Sequence, residues 1–536
     1  MRRTEPAAPA ALVLVALLSS CAAWDPALPP VRVGPVSAAA ATARPGPASG
    51  IPVLPEKGPV RLNIEDAILL ALAGNREFAV QRAGPSLQRT GEDVARAAFD
   101  PRFRTETGAR RSLSGPTAAS PPGTTKSGTT GYSLTAGLDV PLPTGTTVSV
   151  EGSQDWTDSS AGEPGFGSGA GLSVTQALLQ GAGLDANLAS LRQARLDTES
   201  SEYELRGLAE ALVANVEKAC WDYVLASRQI SIVEDSLRLA EQSLADVKER
   251  IEVGKVADVE RFAAQTEAAL RREDLINARS ALAKASVKMV RLLNLPGRDR
   301  WSRALAVVAD PSAPAARLDS VERHVEVALR MRSDLNQARL SVRRGELETV
   351  KTSNGLLPRL DFFLALGATG YARSFGRSVE DLAGDNLEAS AGLSLDWPLI
   401  RRDARARNRQ ATLRLDQSRE SLANMADLVE TDVRTAYIEA ERTREQIAAT
   451  LATRTFKEQS MRAETEKFQV GKSTSFLVAQ AQRDLMASRI SEVQAATNHL
   501  KALVDLYRLE GSLLDRRGID APGRKPVALP DAPAEK

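Results

Sequence analysis

The sequence of 536 residues has few of the residue types on which metal centres, disulfide frameworks and nucleic-acid interfaces depend. It contains only two Cys and two His, far apart in the chain, which excludes a zinc ribbon, a His-rich metal site and a disulfide framework. Lys and Arg total 69 against 68 for Asp and Glu, and this balance argues against a nucleic-acid-binding protein. Aromatic residues make up only 4%, which favours long helices over an aromatic-rich core. After the N-terminus no apolar run reaches the ~18 residues of a membrane-spanning helix.

Catalytic motifs are also missing from the sequence. The glycine-rich stretch at 181–183 lacks the Gly-Lys-Ser/Thr ending of a phosphate-binding loop, and no Gly-x-Ser-x-Gly nucleophile motif occurs. His324 and His499 fall on predicted helices, where a surface or packing role is expected. Cys220, beside Trp221, is expected to be a small buried apolar residue. We therefore expect a protein that is not an enzyme and that has no metal or other cofactor.

The first twenty residues have the features of an export signal. Two arginines precede a short apolar segment at 10–18, which predicts a signal peptide over 1–20. The segment ends Leu-Ser-Ser-Cys, which resembles a bacterial lipobox and makes Cys21 the expected lipidation site. Ordinary cleavage, with Cys21 left as a free thiol, is the alternative. Residues 21–60 are rich in Pro and Ala, which predicts an extended, lipid-anchored tether.

An internal repeat organises the rest of the chain. Val253-Gly254-Lys255 recurs 217 residues later as Val470-Gly471-Lys472, and Pro101 recurs 257 residues later as Pro358. The two units cover about 61–297 and 316–513, and the first carries about 40 extra residues in its middle. Residues 514–536 contain four prolines and are predicted to form a flexible C-terminal tail.

Each unit has the same predicted order of elements. A first helix covers about 64–98 and 320–354 and ends before a proline. Strands follow over about 101–178 in the first unit and about 358–399 in the second, where apolar and polar residues alternate. Such alternation is typical of membrane β-strands, and a soluble antiparallel sheet with one wet face would give the same pattern.

The extra residues of the first unit also alternate. Tyr132 and Trp156 lie in two alternating segments on either side of a turn at 141–145. This turn contains two prolines and a glycine, which predicts a tight hairpin. The pattern leaves open whether the hairpin near 132–156 joins the wall of a barrel or folds over it.

Long helices follow the strands in both units. The segment at about 188–252 has no Pro and one internal Gly, and the segment at about 409–469 has neither. At ~1.5 Å per residue each would reach roughly 90–100 Å, longer than a compact domain requires. Each stops at the Val-Gly-Lys turn and is followed by a return helix, at about 257–294 and 474–510.

Four features of the sequence point to one family. They are the helix start Asn63-Ile64-Glu65-Asp66-Ala67 with Ala71 and Asn75, the helix end Phe99-Asp100-Pro101, the 172–183 stretch, and the long hairpins turning at Gly254 and Gly471. With these features, residues 60–513 resemble the TolC-like outer-membrane efflux proteins, and the lipobox resembles that of a lipoprotein-type member. The resemblance implies a fold that is mainly α with a membrane β-barrel part. It implies a trimeric channel-tunnel in which a long α-helical barrel continues the β-barrel, built from the two internal repeats.

The resemblance also implies a passive function and a set of partners. The protein would be the outer-membrane exit duct of a tripartite efflux or type I secretion system. A homotrimer would contact outer-membrane lipid, a periplasmic membrane-fusion adaptor protein and an inner-membrane transporter of the RND or ABC type, with no nucleic acid. It would lie in the bacterial outer membrane, extend into the periplasm and be anchored at Cys21. Only 6 Met, without a cluster, give no support to copper or silver as cargo.

Strand number and overall class leave alternatives open. In that family each of three protomers gives four strands to a twelve-stranded barrel, whereas the extra hairpin would raise the number to six per protomer and eighteen in all. A lipid-anchored periplasmic coiled-coil scaffold is the alternative from a different class. Such a scaffold does not need strands with one fully apolar face, so the alternating segments disfavour this alternative.

The helix-turn tips carry the residue-level expectations. By the resemblance, the adaptor-docking residues are Val253, Gly254, Lys255, Val470, Gly471 and Lys472. The candidates for the closed periplasmic entrance are Asp258 and Glu260 beyond the first tip and Phe476 and Leu477 beyond the second. The second tip has no acidic residue in the following turn, which departs from the family pattern and makes a hydrophobic constriction the expected substitute. A purely conformational role for the two glycines is the alternative, since glycine commonly ends a helix.

Overall fold

The computed structural model describes residues 58–115, 127–159, 163–254, 256–297, 299–311 and 318–527. The predicted signal peptide, the lipidation site Cys21, the tether up to residue 57 and the tip residue Lys255 lie outside the described residues. Within these ranges, no helix combines the length and the apolar character needed to cross a bilayer.

The first unit begins with a short strand and three short helices. Strand β1 (Val60–Leu62) leads into α1 (Ile64–Gly74), α2 (Arg76–Gln81) and α3 (Gly84–Arg96). The predicted continuous helix over 64–98 is therefore interrupted. Asn75 ends α1 in an extended conformation, and its side chain caps α2 by accepting a hydrogen bond from the amide of Phe78 at 3.0 Å.

The six long strands form one antiparallel sheet. They are β2 (Arg102–Ser114), β3 (Ser127–Pro141), β4 (Thr146–Ser159), β5 (Gly165–Ala177), β7 (Arg359–Ala372) and β8 (Leu387–Asp396). Their order in the sheet is β2-β3-β4-β5-β7-β8. The extra hairpin of the first unit is β3 and β4, and it lies inside the sheet between β2 and β5.

The two faces of this sheet differ in polarity. One face, called the apolar face, includes the cross-strand row Phe103, Leu138, Val150, Leu172, Leu366 and Ala389. The opposite face, called the polar face, includes the row one residue along, Arg104, Gly137, Glu151, Gly171, Gly367 and Glu388. On the polar face Arg104 forms an ion pair with Glu151 at 3.8 Å across Gly137. This separation of apolar and polar residues follows from the two-residue period of a strand.

The long helices form two antiparallel hairpins. The first consists of α4 (Leu184–Glu252) and α5 (Val259–Leu293), with 69 and 35 residues. Strand β6 (Leu305–Val307) then pairs in parallel with β1. In the second unit α6 (Val321–Met331) and α7 (Ser333–Asn354) precede β7. Helix α6 stops at Arg332, whose extended conformation breaks the predicted helix over 320–354.

The second long hairpin repeats the first. After a short helix α8 (Phe375–Glu380) between β7 and β8, the chain forms α9 (Arg402–Gln469) and α10 (Ser475–Leu509). Helix α9 has 68 residues, so α4 and α9 are each about 100 Å long at ~1.5 Å per residue. Helix α10 packs against both α9 and α4, which joins the two repeats.

The largest apolar core lies where α1, α4 and α5 meet the small β1–β6 sheet. Its members include Leu62, Val213, Cys220, Met289 and Leu293. The Cys220 Sγ is buried 4.0 Å from the sulfur of Met289, and burial raises the pKa of this thiol to about 12. The interpretation of Cys220 as a small buried apolar residue is confirmed.

The C-terminal segment is packed as far as residue 527. A last short helix, α11 (Leu513–Arg516), buries Leu513 and Leu514 completely. The guanidinium of Arg517 then makes two hydrogen bonds of 2.7 and 2.6 Å to the carboxylate of Glu217 on α4. The prediction of a flexible tail from residue 514 is therefore wrong for 514–527, because apolar burial and ion pairing hold this segment to the helices.

Candidate functional site

The first tip is an open helix turn at the end of α4. The amide of Val253 donates to the carbonyl of Glu249 at 3.1 Å, and the amide of Gly254 donates to that of Ile251 at 2.9 Å. Gly254 has a φ of 74°, a left-handed conformation that favours glycine. The side chain of Val253 is 61% exposed. The tip therefore presents an apolar side chain on a hydrogen-bonded turn.

The second tip has the same geometry at the end of α9. Gly471 has a φ of 75°, and the amide of Lys472 donates to the carbonyl of Lys467 at 2.8 Å. Val470 is 69% exposed, like Val253 at the first tip. The amide of Gly471 also donates to the carbonyl of Phe468 at 3.1 Å, and these two bonds form the Schellman type of helix ending. The sequence repeat is therefore a repeat of tip structure as well.

Direct contacts hold the two tips together within one chain. The hydroxyl of Ser475, the first residue of α10, donates a hydrogen bond to the carboxylate of Glu260, the second residue of α5. Further back, the guanidinium of Arg250 lies 4.8 Å from the centre of the Phe468 ring and donates to the carbonyl of Phe468 at 3.4 Å. The ends of the two hairpins therefore form one surface.

The other predicted entrance residues lie around this contact. Asp258, which directly precedes α5, pairs at 3.3 Å with Arg261 of that helix and does not share the contact between the tips. Phe476 is 57% exposed, and the guanidinium of Arg483 lies 5.8 Å from the centre of its ring. The amide of Leu477 donates to the hydroxyl of Thr474, which caps α10. Among the contacts of these four candidates with the described residues, the hydrogen bond of Glu260 is the one that links the two hairpins.

Sequence reasoning missed two charged features near the tips. The carboxylate of Glu464 on α9 accepts hydrogen bonds from Ser473 and Lys467, which lower its pKa. Behind the tips, Glu267 is buried and accepts from Arg271 at 3.0 Å and from Arg483 at 2.7 Å. The second cluster joins α5 to α10. Only the four-residue spacing of Glu267 and Arg271 could have been found from sequence.

The described residues contain no group of three or more His, Cys, Asp or Glu arranged to hold a metal ion. Both histidines are buried and bonded inside the helical part. His324 is paired with Glu510, and the Nδ1 of His499 lies 3.2 Å from the hydroxyl of Thr443. Of the surface or packing roles expected for both, these positions agree with packing.

Comparison with known proteins identifies the same architecture. Three solved outer-membrane channels each match 84% of the chain. They are VceC of Vibrio cholerae (14% identity, 96% of that chain, TM-score 0.59), MtrE of Neisseria gonorrhoeae in its open state (15%, 89%, 0.60) and CmeC of Campylobacter jejuni (12%, 86%, 0.59). No curated protein sequence matches the chain.

A family model gives the assignment at the level of sequence. The model described as "Outer membrane efflux protein" matches residues 147–295 and 325–512, which is more than half of the chain and includes one segment in each repeat. The predicted resemblance and fold class are confirmed. The chain belongs to the outer membrane efflux protein family.

Proposed function

We propose that the protein is the outer-membrane exit duct of a tripartite efflux system. It is a passive channel that passes substrates from an inner-membrane transporter across the periplasm and outer membrane. The observation that carries the proposal is the combination, in one chain, of a sheet with an apolar row across all six strands and two helical hairpins whose longer helices reach about 100 Å. The sheet would form the wall in the membrane, and the helical hairpins would form the long tunnel.

The sheet requires copies of the same chain. In lipid, an unpaired backbone N–H or C=O costs several kcal/mol, so an open sheet is unstable there and only a closed barrel spans the bilayer. Six strands are too few to form a channel by themselves. A homotrimer, as in the family resemblance, closes the wall and surrounds one lumen.

The tips provide the surface for the periplasmic partner. Val253 and Val470 are exposed apolar residues on turns fixed by Gly254 and Gly471. They would dock a periplasmic adaptor protein, with Lys255 and Lys472 beside them. Transport energy would come from an inner-membrane pump of the RND or ABC type, and a type I secretion role uses the same parts.

The lipid anchor is the remaining part of the proposal. Acylation at Cys21 would fix the N-terminal end to the outer membrane, with the helices extending into the periplasm. A Cys21→Ser variant tests this: the mature chain should lose the mass of the acyl chains. A mature mass that differs from that of the unsubstituted protein only by the exchange of sulfur for oxygen would contradict lipidation.

The scaffold alternative differs in what the sheet contacts. A periplasmic coiled-coil scaffold would leave the apolar face exposed to water, and large exposed apolar patches are unfavourable on a soluble protein. The deciding experiment is single-channel recording of the purified full-length protein in a planar bilayer, with native mass determination. A trimer with steady pores is expected. A monomer or dimer that binds membranes only through Cys21 and never conducts would overturn the duct.

A further inference from the structure

We propose that the outer-membrane wall contains eighteen strands, six from each of three copies, and that β2 of one copy pairs with β8 of the next. This inference rests on the proposed trimeric duct and departs from the twelve strands implied by the family resemblance. It also assigns an interaction surface, the two edges of the sheet, to a second copy of this chain.

The first support is the position of the extra hairpin. Strand β3 pairs with β2 along the full length of β2, and β4 pairs with β5 along nearly all of β5. A hairpin folded over the wall would leave β2 free to pair with β5. In the described sheet these two strands are instead separated by the hairpin.

The second support is that the hairpin has the same two faces as the other strands. Leu138 and Val150 stand in one row with Phe103 and Leu172, so the apolar face continues across the hairpin. Ser149 on the polar face donates to Asp139 at 2.7 Å. An apolar outer face and a polar inner face are the pattern of a strand in a membrane wall.

The third support is the junction between the hairpin and the long helix. The turn at 142–145 is bonded to the start of α4, because the side-chain amide of Asn187 donates to the carbonyls of Pro143 at 3.0 Å and Gly181 at 2.8 Å. Gly145 has a φ of 85°, and a Cβ there would overlap the carbonyl of Gly181. The turn of the hairpin is therefore fixed at the end of the sheet that leads into α4.

The edges of the sheet are complementary in direction. Among the described strands, β2 pairs only with β3 and β8 only with β7. Because the sheet has an even number of antiparallel strands, β2 and β8 run in opposite directions. A β8 edge can therefore continue into the β2 edge of another copy as a normal antiparallel ladder. This pairing repeats around a ring and removes every open edge.

The consequence is a wider lumen. Barrel diameter grows roughly in proportion to strand number, so the wall is about one and a half times as wide as one of twelve strands. The wall thus suits cargo of larger cross-section than a twelve-stranded wall admits.

Spin labels on the hairpin test whether it faces lipid. In a Cys21→Ser background, single variants Val150→Cys and Ser149→Cys are labelled and reconstituted as the full chain. The native Cys220 is buried and remains unlabelled. The matched positions Leu172→Cys and Ser173→Cys lie on β5, which is in the wall under either strand number. Collisions of the label with oxygen, which dissolves in lipid, should be as frequent at position 150 as at position 172, within about twofold. Collisions with a water-soluble nickel chelate should be detected at positions 149 and 173.

The outcomes separate this inference from the proposed function. Trimers with a lipid-exposed position 172 and an oxygen-inaccessible position 150 would overturn the eighteen strands and leave the duct intact. Failure to form trimers, with position 172 also shielded, would overturn the duct itself.

Disulfide trapping tests the pairing of the sheet edges. Leu393→Cys, combined in turn with Phe103→Cys, Thr105→Cys or Thr107→Cys, should give cross-linked trimers. Trimers in which no pair cross-links would contradict the β2–β8 pairing.

Discussion

The carboxylate of Glu260 and the hydroxyl of Ser475 form a hydrogen bond between the two helix-hairpin tips of one chain. The bond joins α5 of the first repeat to α10 of the second, next to the glycine turns. A change in the relative position of the two hairpins would break it. The proposed periplasmic entrance can therefore be loosened at this contact.

Removing this hydrogen bond should favour the open entrance. We expect Glu260→Ala and Ser475→Ala to raise the open probability of single channels while leaving the trimer intact. The matched control is Asp258→Ala, because Asp258 contacts Arg261 of the helix that it precedes and does not bridge the tips. Channels opened by Asp258→Ala but unchanged by Glu260→Ala would contradict this role of the bond.

The tip glycines should resist substitution for a conformational reason. Gly254→Ala and Gly471→Ala place a side chain at φ near 75°, which costs about 1 kcal/mol at each site. We expect a lower thermal midpoint and weaker binding of the adaptor. Gly91→Ala is the control, because Gly91 is inside α3 with open space around it, and alanine there should stabilise by up to ~1 kcal/mol. Equal effects at Gly91 and Gly254 would contradict the conformational argument.

The buried Glu210 should make the helical part less stable as pH rises. Burial raises the pKa of Glu210 to about 7 despite Arg206, whose Nε lies 3.3 Å away. The folded state binds this proton more tightly than the unfolded state, so stability falls between pH 4.5 and about 7, by on the order of 3 kcal/mol. In Glu210→Gln, the free energy of unfolding measured at several pH values should have a smaller slope against pH between pH 4.5 and about 7. A slope identical to that of the unsubstituted protein would exclude Glu210 as its source.

The buried pair of His324 and Glu510 should contribute strongly to stability. Burial alone would raise the pKa of Glu510, but hydrogen bonds from His324 and Ser512 and the charge of Arg516 lower it overall. This contribution is present above pH 4.5 and is lost as pH falls through the lowered pKa. His324→Ala removes one of the partners of the buried Glu510 carboxylate and should cost about 3 kcal/mol.

An exposed ion pair on the same helix provides the control for His324. Arg323 pairs with Glu326 at 2.7 Å, but both side chains are more than half exposed. Arg323→Ala should change the free energy of unfolding by less than about 1 kcal/mol. The comparison is made by thermal denaturation of trimers in detergent. Equal losses for the two variants would contradict the importance of burial.

Sequence patterns predicted the long elements of the fold well. The absence of proline, with a single glycine in α4 and none in α9, indicated these two helices, and the Val-Gly-Lys turns indicated their ends. The period-two alternation marked the strands. These features depend on local chemistry, which a single sequence displays directly.

Features that depend on distant partners were not predicted. The break at Asn75 depends on a side-chain cap, and its amide also donates to the carbonyl of Leu292 on α5. The packed C-terminal segment depends on Arg517 reaching Glu217, 300 residues earlier. The bond between Glu260 and Ser475 joins two repeats in the same way. Composition and spacing contain no information about such pairings.

The place at which the extra hairpin enters the sheet has a consequence for how such channels diversify. Strand β3 starts beside the end of β2, and β4 finishes beside the start of β5. Strands β2 and β5 therefore keep the directions that they would have without the hairpin. The helices at the other end keep their connections. In the proposed eighteen-stranded wall, this one hairpin is multiplied by the number of subunits, so a single stretch of the chain adds six strands to the circumference of the pore while the long helices keep their places.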